Sequence, residues 1–143
     1  MDKSLVALSN IKIQSTAEKV WSMLTDPEKI KAYLFGTQIQ TDWKIGSPIV
    51  FQGEYNGQIY KDKGNVIENK ENELLKYDYW SRFSGLEDIP QNYSLITYKL
   101  EKVNDKTVNF TWHQQGFSSE KGKCHTEQGL ETMLEQIKRL AEE

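Results

Sequence analysis

The chain has 143 residues, with 18 Lys and Arg against 21 Asp and Glu for a formal charge of −3, and a single cysteine, Cys124. That length sets one domain as the expectation, and 37% hydrophobic residues with four Trp, seven Tyr and five Phe exclude a disordered chain. One cysteine excludes an internal disulfide and any multi-cysteine metal site, while Arg82 and Arg139 as the only arginines leave no basic stripe for nucleic acid.

Residues 5–14 read as a first strand, with Ile11 and Ile13 alternating against Lys12 and Gln14. The period then changes. Ser15-Thr16-Ala17-Glu18 fits a capping box with Ser15 as N-cap, and Val20, Trp21 and Leu24 follow at helical spacing. Asp26 and Pro27 restart the chain as N-cap and first helical residue of a second short helix carrying Ile30, Tyr33 and Leu34.

From Gly36 to Gln115 the pattern is alternation broken by turns, which predicts a meandering antiparallel sheet with strands at 37–43, 48–55, 58–68, 73–81, 93–103 and 107–115. Asn56-Gly57 suits a type I′ hairpin, because both residues tolerate positive φ. Parity gathers Ile49, Phe51, Tyr55, Tyr60, Val66, Leu75, Tyr77, Tyr79, Ile96, Tyr98, Leu100, Val108, Phe110 and Trp112 on one face. The opposite face carries mostly charged and amide side chains, with Trp80 among them.

Residues 119–141 form a long helix, in which Thr126, Leu130, Met133, Leu134, Ile137, Leu140 and Ala141 make one apolar stripe. An aromatic sheet face and an amphipathic helix bury each other, so the fold class is α+β: a curved antiparallel sheet of six or seven strands around a C-terminal helix. Bulky side chains bridging such a gap tend to leave a cavity, concave and mostly apolar.

The blocks Ala17-Glu18-Lys19-Val20-Trp21, Leu24-Thr25-Asp26-Pro27-Glu28, Tyr33-Leu34-Phe35-Gly36 and Thr41-Asp42-Trp43-Lys44-Ile45-Gly46-Ser47 carry a family resemblance. Lys63-Gly64-Asn65-Val66, Leu74-Leu75-Lys76-Tyr77, Asn92-Tyr93, Thr97-Tyr98-Lys99-Leu100 and Gln115-Gly116-Phe117 extend it over nearly the whole chain. The sequence resembles the START-like SRPBCC superfamily, in the branch of homologues of the activator of the heat-shock protein 90 ATPase. The resemblance implies a helix-grip fold over residues 1–143, and either ligand carriage, chaperone contact or cyclase- or hydrolase-type chemistry. Two departures stand out. The family often has Gly-Trp where this chain has Gly129-Leu130, which reshapes one cavity wall, and 143 residues leave no room for the separate N-terminal domain of the eukaryotic co-chaperone.

The candidate ligand-contacting residues are Trp43, Phe51, Tyr55, Tyr77, Tyr79, Tyr98, Phe110 and Trp112 on the sheet side, with Thr126, Leu130, Met133 and Leu134 on the helix. Parity puts His113 on the outer face, and His125 falls on the helix flank beside Cys124, so neither pairs with the thiol. No metal-ligand spacing, nucleophile elbow or phosphate loop occurs, and no cofactor is expected. Asp42 beside Trp43 is a carboxylate open to two readings, desolvated acid–base group or solvated turn residue. Phe83, Leu86 and Ile89 in the segment 82–92 form either a lid over the cavity or a patch packed on the last helix. The sequence carries no apolar run suited to a signal peptide or membrane span, and a soluble, cytoplasmic protein is expected. Its expected partner is an apolar or amphipathic small molecule, with a large heat-shock chaperone as the alternative and an enzyme using Asp42 or a tyrosine as the third reading.

Overall fold

A computed structural model describes residues 1–143, except for the side chain of Tyr55. Seven strands form one antiparallel sheet: β1 (Asp2–Ile13), β2 (Gln38–Gln40), β3 (Pro48–Tyr55), β4 (Gln58–Lys70), β5 (Leu74–Tyr79), β6 (Ser94–Asn104) and β7 (Thr107–Phe117). Three helices accompany it, α1 (Ala17–Thr25), α2 (Pro27–Tyr33) and α3 (Glu120–Glu142). The strand order β1-β7-β6-β5-β4-β3-β2 is a meander from β2 to β7, closed by pairing the first strand with the last. This is the helix-grip arrangement.

The local signals explain most of the elements. Asn56 and Gly57 both hold positive φ, +52° and +78°, as the type I′ hairpin between β3 and β4 requires. Asp26 caps α2, its Oδ1 accepting from Glu28 N at 3.0 Å, and Pro27 occupies the first turn. The N-cap of α1, however, is Thr16: its Oγ1 accepts from Lys19 N at 3.2 Å, and Ser15 is buried instead. Shifted by one residue, Glu18 no longer occupies the position from which it could reach back to the cap, so the capping box does not form.

The strand expected at 37–43 is only three residues long. Beyond Gln40 the side chains of Thr41 and Asp42 accept from the backbone N–H groups of Trp43 and Lys44, and Trp43 takes a φ of +61°. Such local side-chain bonds compete with a ladder and curl the segment into a loop. The fifth strand ends at Tyr79, with Trp80 joined to Lys63 as an isolated bridge, and β1 starts at Asp2, opposite Phe117.

Parity holds across the sheet. Ile49, Phe51, Val66, Leu75, Tyr77, Ile96, Tyr98, Leu100, Val108, Phe110 and Trp112 are buried in one core, to which α3 contributes Leu130, Leu134, Ile137 and Ala141. Two backbones approach closely at Gly64, where a Cβ would stand 1.9 Å from the carbonyl oxygen of Asp78. Only glycine fits there, beside the register shift at Val66–Glu68 in the β4–β5 ladder.

Candidate functional site

Sheet and helix do not close on each other along their whole length. Between them lies a cavity of about 310 Å³. Phe51, Tyr60, Tyr77, Tyr79, Ile96 and Trp112 form its sheet wall, Thr126, Leu130 and Met133 of α3 form the opposite wall, and Leu34, Phe35 and Thr37 complete it after α2. Phe35 is 88% exposed, which places it at the rim. Thr37, Asp62 and Gln114 are the polar members buried in the wall.

The aromatic wall is a chain of edge contacts. Phe51 meets Tyr79 edge-on at 5.2 Å between centroids, Tyr77 meets Tyr98 at 5.5 Å, and Tyr98 tilts onto Trp112 at 4.6 Å. The hydroxyls of Tyr77 and Tyr98 bond to each other at 2.6 Å. Tyr79 donates to Asp62 Oδ2 at 2.5 Å, and Trp112 Nε1 donates to Gln114 Oε1 at 3.2 Å.

Asp62 is only 4% exposed. Burial raises its pKa above the usual carboxylate range, opposed in part by the hydroxyls of Tyr79 and Ser81 and the backbone N–H of Arg82. Its Oδ1 has no hydrogen-bond partner. Burial drives Tyr77 and Tyr98 far up as well, and burial plus the charge of Asp62 does the same to Tyr79. The buried tyrosines of the wall are therefore neutral hydroxyls at physiological pH, and among the described residues of the lining Asp62 is the one carboxyl group.

Seven of the sequence-predicted residues are brought together in the lining: Phe51, Tyr77, Tyr79, Trp112, Thr126, Leu130 and Met133. Four are placed outside it. Tyr98 and Phe110 lie in the core behind the lining, and Leu134 is buried further along α3. Trp43 packs edge-on to Tyr77 at 6.4 Å and donates its Nε1 to Thr25 O at 2.8 Å, tying the 41–47 loop to α1. Tyr55 lies outside the described side chains.

Of the two readings of Asp42, the solvated turn residue is the one that holds. It is exposed, and hydrogen bonds from the Ser47 hydroxyl and Lys44 N–H lower its pKa. The buried carboxylate is Asp62, which parity does place with Tyr60 and Val66 on the inner face; the signal was a lone acid on an apolar face. Gln114 shares the parity of Trp112 in the same way. The segment 82–92 contributes nothing to the lining. It is pinned to the sheet by Trp80 Nε1 donating to Leu86 O, by the Lys63–Asp88 ion pair and by Tyr93 donating to Asp88 Oδ1 at 2.6 Å, while Phe83 packs on Tyr60 at 5.7 Å. Among the described residues no His, Cys, Asp or Glu group could hold a metal ion. No helix among the described residues is long and apolar enough to cross a membrane.

Residues 14–142 match the family described as activator of Hsp90 ATPase homolog 1-like protein. The chain belongs to that family. No curated protein matches. A protein from Cytophaga hutchinsonii with a solution structure is 38% identical, over 98% of this chain and 95% of that one, at a TM-score of 0.83. The fold is shared at lower identity by the Aha1 dimer of Colwellia psychrerythraea, 16% identical over 96% of each chain at a TM-score of 0.73. It is shared too by an HSP90 activator from Plasmodium falciparum, 14% identical over 95% of each chain at 0.74. In this Hsp90-activator-like family member the position after Gly129 is Leu130, 2% exposed and part of the cavity wall.

Proposed function

We propose that this Hsp90-activator-like protein is a cytoplasmic carrier or sensor that binds an apolar or amphipathic small molecule between its sheet and α3. One observation carries the reading: a cavity of about 310 Å³ whose walls are aromatic and aliphatic apart from a few hydroxyls, one amide and one carboxylate. Known ligand pockets begin at about 300 Å³ and combine apolar walls with a few fixed polar groups. Phe51, Tyr77, Tyr79, Trp112, Thr126, Leu130 and Met133 would contact the ligand. Tyr98, Phe110 and Leu134 would act one layer behind, holding those side chains in place, and Trp43 would brace Tyr77.

Native mass spectrometry of the purified protein, followed by extraction of whatever it carries, is the test. A co-purifying small molecule supports the reading, and its release on changing Leu130 or Met133 places it in the cavity. A protein that carries nothing and whose Trp112 fluorescence is unmoved by a panel of lipids and aromatics refutes it.

A large heat-shock chaperone is the second reading for a partner, favoured by family membership and by the Plasmodium falciparum activator's shared fold. Stimulation of the ATPase of the chaperone from the same organism supports this second role, and an unchanged ATPase rate removes it.

A further inference from the structure

Gln114 is a buried amide with only half of its bonding capacity used. Trp112 Nε1 donates to its Oε1 at 3.2 Å. An indole N–H can only donate, so this contact fixes how the amide is turned: the oxygen faces Trp112 and the two N–H groups of Nε2 face away from it. The residue is 9% exposed, and Nε2 has no hydrogen-bond partner. Unlike Asp62 Oδ1, however, Nε2 is not sealed off from open space. Gln114 shares the inward parity of Phe110 and Trp112 on β7, and the space it borders is the cavity. The hydroxyls of the lining impose no such polarity. Tyr79 gives its proton to Asp62, Tyr77 is bonded to Tyr98 and Thr37 to Tyr60, while the Thr126 hydroxyl donates or accepts alike. Gln114 Nε2 is a donor and nothing else.

We infer that the cavity selects uncharged carbonyl compounds, with the ligand oxygen accepting from Gln114 Nε2 and the apolar body lying against Phe51, Tyr77 and Leu130. The inference rests on the cavity being a ligand site. Buried donors are almost always paired, and an acceptor is what completes this one. A pure hydrocarbon leaves the amide unpaired, and an ammonium sets donor against donor. A carboxylate would accept the bond, but no Lys, Arg or His among the described residues lines the cavity to offset its charge. The negative faces of the surrounding rings oppose an anion as well. Size limits the body of the molecule. A volume of about 310 Å³ corresponds to about ten waters at liquid density, which suits one ring and a short chain.

The test compares 4-phenyl-2-butanone, butylbenzene and 3-phenylpropionate, three molecules of similar shape, by calorimetry and tryptophan fluorescence on the wild-type protein and on Gln114→Met. Methionine keeps the length of the side chain and removes its N–H groups. The substitution is expected to weaken the ketone about 5- to 100-fold, the range for a buried acceptor left without its donor, and to leave butylbenzene as tight or tighter. Losing the acceptor of Trp112 affects both ligands alike, so the difference between them reports the Nε2 bond. The acid binds wild type more weakly than the ketone. Infrared spectroscopy reads the bond directly: the carbonyl stretch of the bound ketone lies below its value in hexane in wild type and returns toward it in Gln114→Met. Thermal unfolding shows whether the variant is folded, and if it is not, the wild-type stretch decides alone. Equal weakening of ketone and hydrocarbon, a stretch unshifted from hexane, or an acid bound as tightly as the ketone overturns the inference, while binding of butylbenzene leaves the carrier reading standing. If none of the three binds wild type, both fall.

Discussion

The hydroxyl pair of Tyr77 and Tyr98 gives a sharp energetic prediction. Both residues are nearly inaccessible, 3% and 4% exposed, and their oxygens are 2.6 Å apart. Tyr77→Phe removes one hydroxyl and strands the other in the core behind the cavity wall, which costs about 1–3 kcal/mol. Tyr98→Phe strands the Tyr77 hydroxyl instead. Tyr77 lines the cavity whereas Tyr98 does not, so water reaches the stranded group more easily and the cost falls at the low end of that range. The double variant leaves no unpaired hydroxyl and costs less than the sum, because replacing both partners by apolar groups of similar shape is nearly neutral. Urea unfolding of wild type, both single variants and the double variant measures the cycle, with equal m-values as the check that only stability has changed. In a chain of this size each kcal/mol also moves the melting temperature by about 2–4 °C, so calorimetry gives an independent reading. Effects that add to within about 0.5 kcal/mol refute the argument, since they mean that neither hydroxyl depends on the other.

Three further outcomes follow from particular residues. The pKa of Asp62 is raised by burial, so between the unfolded value and the raised one the native form holds a proton that the unfolded chain has released; its contribution to stability is full below the unfolded value and is lost as pH rises through the raised one. Asp62→Asn should therefore unfold at higher urea than wild type at pH 7, with the gap narrowing toward about pH 4, and a gap independent of pH would contradict the assignment. Gly64→Ala drives a Cβ to within 1.9 Å of the Asp78 carbonyl and should cost about 3 kcal/mol or more, read as loss of folded protein or a large drop in urea midpoint; a near-neutral result would mean that β4 and β5 can separate there. Leu130→Trp puts an indole into the cavity from α3, and should abolish co-purification of any ligand in native mass spectrometry while the protein stays folded by circular dichroism.

Much of this architecture is written in local patterns. The hairpin at Asn56-Gly57, the Asp26-Pro27 helix start and the α3 stripe each rest on a few adjacent residues, and each forms as expected. The misread points have a common cause, which is that alternation measures direction and not company. Residues 37–43 alternate like a strand, yet the Thr41 and Asp42 side chains satisfy the backbone locally and end it. Tyr77 and Tyr98 face the same way, but only their places across the sheet decide that one borders the cavity and the other backs it. Asp62 was legible by parity in β4, though nothing in sequence says that its side chain would meet the Tyr79 hydroxyl. Asp42, beside a tryptophan in sequence, looked the more promising acid and proves to be in water.

The pairing of β1 with β7 bears on the order in which the protein can assemble. Asp2 lies opposite Phe117 and Ile13 opposite Val108, so the end of the first strand has no partner until 95 further residues have left the ribosome, and its start waits for 115. The meander from β3 to β7 can zip up hairpin by hairpin as it appears, but β1 waits, and α3, which packs on it, comes later still. The hydrogen bond from Gln14 N to Glu142 Oε2 joins the last turn of the chain to the end of that waiting strand. Closure of the sheet is thus a long-range, late event with a large loop-closure entropy, and it makes the nascent β1 the segment most dependent on protection from other chains.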